Sequence, residues 1–382
     1  MKRGLIAFVC VLLTPSFPAS AQRYPAEIQK IKDVVIYEDS LFYCAFPSVV
    51  RRPDGDLLVA FRRAPDRRRM GEQDNLHCDQ NSYLVMVRSG DGEAWSREPE
   101  LISAYPFGGS QDPCLLQLND GTLLCTSYAW TLKPAAQRKQ SGGGYGDWAF
   151  LGGYYLRSAD GGLHWDGPFY PPALTRETLR SPYGNVIPAC NRGALYEGGD
   201  GRIHWGVIAN NGSRTSVHLL TSDDRGASWN CSAEIASSPD ITFNETSMYE
   251  TPGGDIVAFI RTSGVGDTAY ISRSTDGGKT FQYTPMGFRG HPVNALRLPD
   301  RRVLLTYGYR HAPYGIRARI LNEECTDFAE ATEFILRDDG GNVDIGYTWP
   351  VLLDENRVLV TYYFNKNDGL RHIAGTILEI RQ

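Results

Sequence analysis

Short apolar runs recur along the whole chain, each broken by a brief polar turn and followed by a second apolar run. The clearest copies are 47–61, with Asp54-Gly55 at the turn, and 112–124, with Asp120-Gly121. Weaker copies lie at 193–205 and 247–259, and the last two at 295–305 and 350–360. β-Rich runs around a tight polar turn predict hairpins. Helical periodicity is nearly absent; only Ala26–Lys32 and Phe328–Phe334 read as short helical turns.

A second pattern is interleaved with the first. Ser274-Thr-Asp276-Gly-Gly278-Lys-Thr280-Phe281 reads S-x-D-x-G-x-T-[FW]. Ser222–Trp229 and Ser158–Trp165 fit the same frame, and Ser89–Trp95 is one residue short. In each, the Asp carboxylate can accept backbone N–H bonds across a turn, Gly supplies positive φ, and the aromatic ring packs the turn onto the sheet below. One octet means little; the repetition predicts a repeat protein. Six hairpins spaced by roughly 45–80 residues leave room for about four strands per unit, the size of a propeller blade. The expected fold is therefore all-β: a six-bladed β-propeller of four-stranded antiparallel blades with octet turns. The early strand Val34–Tyr37 is expected to pair with the last blade and close the ring, removing sheet edges. Gly142–Gly146, in the longest interval, is expected to be an exposed loop.

The beginning of the chain changes the setting. Lys2 and Arg3 precede the apolar run Leu5–Leu13, and Ala19-Ser20-Ala21 has the small residues of a cleavage site. Residues 1–21 are expected to be a secretory signal, leaving 22–382 as one propeller domain that is secreted or periplasmic. No later stretch is long and apolar enough to span a bilayer. A net charge of −5 argues against nucleic acid as the main partner and leaves room for a local arginine cluster. Beyond Cys10, seven cysteines remain, with no CxxC spacing, which argues against a zinc ribbon; the odd number leaves at least one free thiol, and some disulfides are expected. Asn211, Asn230 and Asn244 head N-x-[ST] sequons. Seven histidines without H-x-x-H spacing, and no Walker or G-x-S-x-G motif, give no sign of metal or cofactor chemistry. A monomer is expected.

Propellers bind ligands at one end of the central channel, on the loops entering the innermost strands. Polar residues flanking those strands are the candidates. They are Arg62, Arg63 and the loop Asp74 to Asp79 with His77; Asn244-Glu245 and Arg261; Asn294, Tyr307, Tyr309, Arg310, His311 and Arg317; and Asp344, Tyr347 and Trp349. Arginines converging there would suit an anionic sugar, because the guanidinium fork matches a carboxylate bidentately.

The octets resemble the Asp boxes (BNR repeats) of the sialidase superfamily, and six hairpins match its propeller. The resemblance covers nearly the whole chain after the signal. It implies an exo-glycosidase acting on a terminal acidic sugar, without cofactor, with a glycan or polysaccharide as partner. Tyr347 would then be the nucleophile, Glu245 its base, and Asp79 or Asp74 the acid/base; Arg261 and Arg317 would hold the substrate carboxylate. Asn294 and Tyr309 would line the sugar site. That family carries Arg-Ile-Pro at the entry to its first inner strand. Here the stretch is Cys44-Ala45-Phe46-Pro47, with Ala45 in the arginine's place and Arg62 or Arg63 left to supply the charge. An acidic sugar related to sialic acid is therefore expected, or another chemistry. Some polysaccharide lyases resemble this architecture too. In that scheme His77 takes the C5 proton of a uronic acid, Arg261 or Arg63 neutralises its carboxylate, and Tyr145 or Tyr309 is the acid, with His291 and His311 as alternative bases. A carbohydrate-binding propeller without catalysis is the third reading.

Overall fold

A computed structural model describes residues 27–72, 77–138, 145–212, 214–366 and 369–381. The proposed signal, Asp74 and most of the glycine-rich loop lie outside these residues. All-β architecture and six four-stranded antiparallel blades are observed. The innermost strands are Phe42–Arg51, Gly109–Gln117, Tyr196–Glu197, Thr242–Glu250, His291–Arg297 and Gly346–Leu352. Each blade then runs outward through consecutive hairpins. The third inner strand is short because a long irregular stretch precedes it, tied to its blade by the Cys190–Ile208 bridge.

The last blade is completed from the other end of the sequence. Glu27–Tyr37 pairs antiparallel with Arg371–Arg381, from Glu27 opposite Arg381 to Tyr37 opposite Ile373, with register shifts between Lys30 and Lys32 and between Val35 and Tyr37. The closing strand is thus longer than Val34–Tyr37, and Glu27 to Lys32 belong to it rather than to a helical turn, Ala26 lying outside the described residues. Among the described residues, helical structure is confined to three single 3-10 turns.

Inner strands such as Phe42–Arg51 are buried on both faces and read as near-continuous apolar runs, whereas the outer strand Gln282–Arg289 alternates. Burying each large aliphatic or aromatic side chain between blades is worth about 1.5–3 kcal/mol. The octets fasten the blades together. In the first complete one, Ser274 Oγ accepts from Gly278 N at 2.9 Å, and Asp276 Oδ1 accepts from Lys279 N and Thr280 N, both at 3.0 Å. The degenerate copy closes alike, with Ala94 N donating to Asp91 Oδ1 at 2.9 Å. Such bonds hold Asp224 down to about 2, the Ser228 hydroxyl contributing most. The glycine has a packing reason as well as a φ of +83° at Gly278. A Cβ there would stand 3.0 Å from Leu219 of the preceding blade, and Gly162 and Gly226 meet Met86 and Leu124 in the same way.

The seven cysteines Cys44, Cys78, Cys114, Cys125, Cys190, Cys231 and Cys325 are all free thiols, six of them buried. The expected disulfides are absent among the described residues; cohesion comes from blade packing. No helix among them is long and apolar enough to cross a membrane.

Candidate active site

The innermost strands break register where they enter the ring. The breaks fall between Ala45 and Ser48, Gln111 and Cys114, Phe243 and Thr246, and Gly346 and Trp349. A bulge leaves a residue unpaired and re-aims its side chain. Here the bulges carry Phe46, Asp112, Glu245 and Tyr347, all of which line one cavity of about 450 Å3. Phe46, Asp112 and Tyr347 have φ of 60°, 28° and 56°. A non-glycine residue held there costs about 1–3 kcal/mol, and such strain gathers at functional sites.

Tyr347 donates its phenolic hydrogen to Glu245 Oε1 at 2.6 Å. Arg261 Nη1 binds both oxygens of Glu245, at 2.8 and 2.9 Å, and lies 3.3 Å from the Tyr347 oxygen. Burial opposes the charge on Glu245, but the Arg261 guanidinium and the tyrosine bond overcome it and hold the carboxyl below its ordinary range. Burial and the Glu245 charge push the Tyr347 phenol well above its ordinary value. The proton therefore rests on tyrosine, aimed at a base ready to take it.

Asp112 is the second carboxylate of the cavity, 2 % exposed, with Tyr128 donating to Oδ2 at 2.8 Å. Burial raises its pKa, and the nearby Glu245 charge adds to this, against the pull of Arg192 and the Tyr128 bond. One cavity thus holds two carboxyl groups driven in opposite directions, which is how acid and base roles are separated.

His77 lines the same cavity, its ring edge-on to Phe46 at 5.3 Å and its Nε2 2.8 Å from Asp344 Oδ1. Asp344 also accepts from Tyr43 at 2.9 Å, Tyr363 at 2.8 Å and Arg371 Nε at 2.8 Å. Burial works against its charge, but the bond and charge of His77, with Arg371 and Arg310, keep it far below the usual carboxylate range. Arg310 completes the cavity's cations: it bonds Tyr363 Oη at 2.9 Å and lies 5.2 Å from the Tyr347 ring centre. Below the site, the buried Arg192 closes the channel. Its guanidinium donates to the carbonyls of Phe46 at 3.1 Å, Pro113 at 3.0 Å, Pro47 at 2.5 Å and Tyr347 at 3.5 Å. Three inner strands are thereby tied to one side chain.

Of the residues singled out in the sequence, the structure brings Tyr347, Asn244, Glu245, Arg261, Arg310 and His77 to this cavity. The other proposed site residues lie outside its lining. Asp79 is locked in a two-point pair with Arg67, at 2.6 and 2.8 Å, away from the lining. Arg317 is turned into its own blade, bonded to the Pro313 and Ile316 carbonyls, with Tyr309 stacked 4.7 Å beneath it. Arg63 pairs with Asp39 at 2.7 Å and rests on the Phe42 ring. Arg62 does stand opposite Ala45 across the first hairpin, but it is wholly buried over Tyr43 and Phe46, which separate it from the cavity. Asn294 caps Ala295 N and reaches the Thr348 carbonyl between blades. His291 and His311 both face Asp267, outside the lining.

Asp112 is the residue that sequence reasoning missed. Asp112-Pro113 has the same place in its hairpin as Phe46-Pro47, so the rule that picks residues at the entry of inner strands could have found it. Arg310 was among the candidates but was passed over for Arg317, which sits mid-strand. Among the described residues, no cluster of three His, Cys, Asp or Glu side chains could hold a metal ion.

The model of the BNR repeat-like domain matches residues 138–322. A crystal structure of a Dyadobacter fermentans protein of unknown function is 57% identical, with a TM-score of 0.90 over 93% of this chain and 99% of that one. The chain and this protein of unknown function belong to one family, and residues 138–322 are similar to the BNR repeat-like domain. Two distant neighbours share the fold at 14% identity. Penicillium chrysogenum alpha-L-arabinanase, complexed with arabinobiose, has a TM-score of 0.64 over 92% of this chain and 98% of its own. Trypanosoma rangeli sialidase, in complex with 2,3-difluorosialic acid as a covalent intermediate, has a TM-score of 0.61 over 91% of this chain and 57% of its own. No curated protein matches the chain.

Proposed function

We propose that this propeller is an exported glycoside hydrolase that removes a terminal acidic sugar from a glycan with retention of configuration. The observation that carries the reading is the Tyr347–Glu245 bond of 2.6 Å in a cavity that also holds the high-pKa Asp112. Distant neighbours of the same fold act on glycosidic substrates, one of them through a covalent intermediate.

In the first step the Tyr347 oxygen attacks the anomeric carbon while its proton passes to Glu245. Asp112 gives its proton to the departing glycosidic oxygen, and the bond from that oxygen to the anomeric carbon breaks. In the second step Asp112, now ionised, takes a proton from water, whose oxygen displaces Tyr347; Glu245 returns the proton to the phenol. A phenol as nucleophile brings no anion towards an anionic sugar, and the neighbouring carboxylate draws off the proton only as the bond forms. Arg261, whose Nε has no hydrogen-bond partner among the described residues, and Arg310 are the cations that face the substrate carboxylate. Tyr128, Trp130 and Phe150 give the apolar wall on which a sugar ring can lie. The cavity volume is in the range of small-ligand sites.

The test is a panel of glycans ending in sialic or uronic acids, or containing internal uronates, with products followed by mass. Release of the terminal acid with the mass of one water is expected; release of nothing from any member overturns the reading. The pH profile should be bell-shaped. Glu245 must be ionised and its pKa is lowered, so the acidic limb lies below the usual carboxylate range. Asp112 must be protonated and its pKa is raised, so activity persists above that range and then falls. Asp112→Asn should remove the alkaline limb and slow natural substrates by about 10²–10⁴-fold. A substrate with a nitrophenolate leaving group, which needs no proton, should be slowed far less.

The buried Asp344 bonded to His77 favours a second reading, β-elimination at a uronate. His77 would take the C5 proton, the C4–O bond would break as the C4–C5 double bond forms, and a cavity tyrosine would protonate the leaving oxygen. Tyr309, stacked under Arg317, is not among the lining residues that could take that last role. This scheme yields an unsaturated, ultraviolet-absorbing product without added water, and its loss in His77→Ala but not in Tyr347→Phe would mark it.

A further inference from the structure

We infer that an aromatic ledge beside the cavity binds the neutral sugar rings of the leaving glycan, so that the substrate is an acid-capped oligosaccharide rather than a small glycoside. The inference rests on the hydrolase reading above. Its starting point is the side on which the acid stands. The group that protonates the leaving oxygen must lie next to the leaving sugar. Asp112 belongs to the second blade, so the rest of the glycan departs over that blade.

Two aromatic clusters, joined through the backbone at Gly108 and Trp130, lead outward from Asp112 in this direction. Tyr128, bonded to Asp112, has its ring 5.7 Å from Phe150, and Phe150 is 4.7 Å from Trp130. The loop before the second inner strand lies directly on Trp130: a Cβ at Gly108 would be 2.2 Å from the Trp130 carbonyl oxygen. The preceding residue, Phe107, is 57 % exposed. Its ring is 6.4 Å from Tyr183 and 6.0 Å from Tyr105. Tyr105 is itself stacked on the buried Tyr154 at 4.8 Å, and its hydroxyl meets that of Tyr170 at 3.2 Å.

Tyr183 is the most open of these rings, 71 % exposed at the tip of a small hairpin. That hairpin is closed by the Arg180–Val186 bridge and by Gly184 N donating to the Ser181 carbonyl at 2.9 Å. It is rooted at the rim, since Leu179 on one side and Cys190 on the other line the cavity. Single exposed aromatics on a surface need no explanation, but a contiguous set leading out of a ligand cavity does. The faces are apolar and their hydroxyls neutral, which suits uncharged pyranose rings stacked by their C–H faces. The acid-selecting charges, Arg261 and Arg310, stay inside. Binding energy gathered on remote rings is then available at the reacting carbon.

The experiment uses the full chain and acid-capped oligosaccharides whose neutral part grows from one ring to four, sialyl-capped and glucuronyl-capped in parallel. For wild type, kcat/KM should rise by about 10–100-fold along the series. In the double variant Phe107→Ala/Tyr183→Ala, two exposed side chains whose loss leaves the blades intact, that rise should flatten. Binding of the same series to Tyr347→Phe, measured by calorimetry, separates this inference from the reading beneath it. Length-dependent binding that the two alanines abolish, without turnover in wild type, keeps the ledge and overturns the hydrolase. Turnover indifferent to length keeps the hydrolase and overturns the ledge. Absence of binding to every member, or a rise that survives both alanines, also overturns the ledge.

Discussion

Tyr347→Phe is expected to lower turnover of acid-terminated glycans by about a thousandfold or more. The substitution removes one oxygen and little else. The ring keeps its contacts with Phe46 at 4.9 Å and Tyr363 at 5.8 Å, and its place over Arg192. Glu245 keeps both bonds from Arg261. Folding and glycan binding should therefore persist while the covalent route is lost. A fluorinated acidic sugar that reacts with wild type should leave its mass on the peptide containing Tyr347, and none on the variant. Glu245→Gln should be nearly as damaging by another path, since the phenol loses its base and Arg261 loses the charge that fixes it. Near-normal turnover in Tyr347→Phe would remove the nucleophile from the scheme.

The second large effect concerns stability. Arg192→Met should cost about 3–5 kcal/mol, read as a lower unfolding midpoint. Methionine fills much of the volume but donates no hydrogen bond. The carbonyls of Phe46, Pro47, Pro113 and Tyr347 would then face a dry channel unpaired. All four of these residues sit in the bulges that aim the site, so activity should fall on warming before the blades melt. Arg192→Lys should recover only part of the loss, because a single ammonium cannot span carbonyls from three strands. A midpoint shift worth less than about 1 kcal/mol would show that the channel carbonyls find other partners.

Much of this architecture was legible because hairpins and octets are local. A polar turn between apolar runs announces itself within a dozen or so residues, and six such units leave few alternatives to a ring. Tyr347 and Glu245 were legible for the same reason, standing just before buried runs. Asp112 has that position too, but it entered only as the first residue of a hairpin copy and was given no role. Arg317 and Arg310 differ by geometry that sequence does not carry: the first points into its blade from mid-strand, the second leaves the strand end towards the axis. Arg192 and the Tyr183 hairpin lie in the long irregular stretch before the third blade, where no periodicity points to them. The partner of His77, Asp344, is 267 residues away and meets it only because the first and last blades are neighbours in the ring.

That neighbourhood depends on one strand pair. Within blades, pairing joins strands that follow one another, and such contacts form early at little entropic cost. The pairing of Glu27–Tyr37 with Arg371–Arg381 instead spans almost the whole chain. It acts as a clasp, the strand pair that joins the two ends of the chain and closes the ring. The cavity lies across the seam it holds shut, with His77 and Phe46 on one side and Tyr347 on the other. In the proposed hydrolase, competence is therefore a property of the closed ring as a whole: five perfect blades with the clasp undone would keep nearly all of the sheet and lose the cavity.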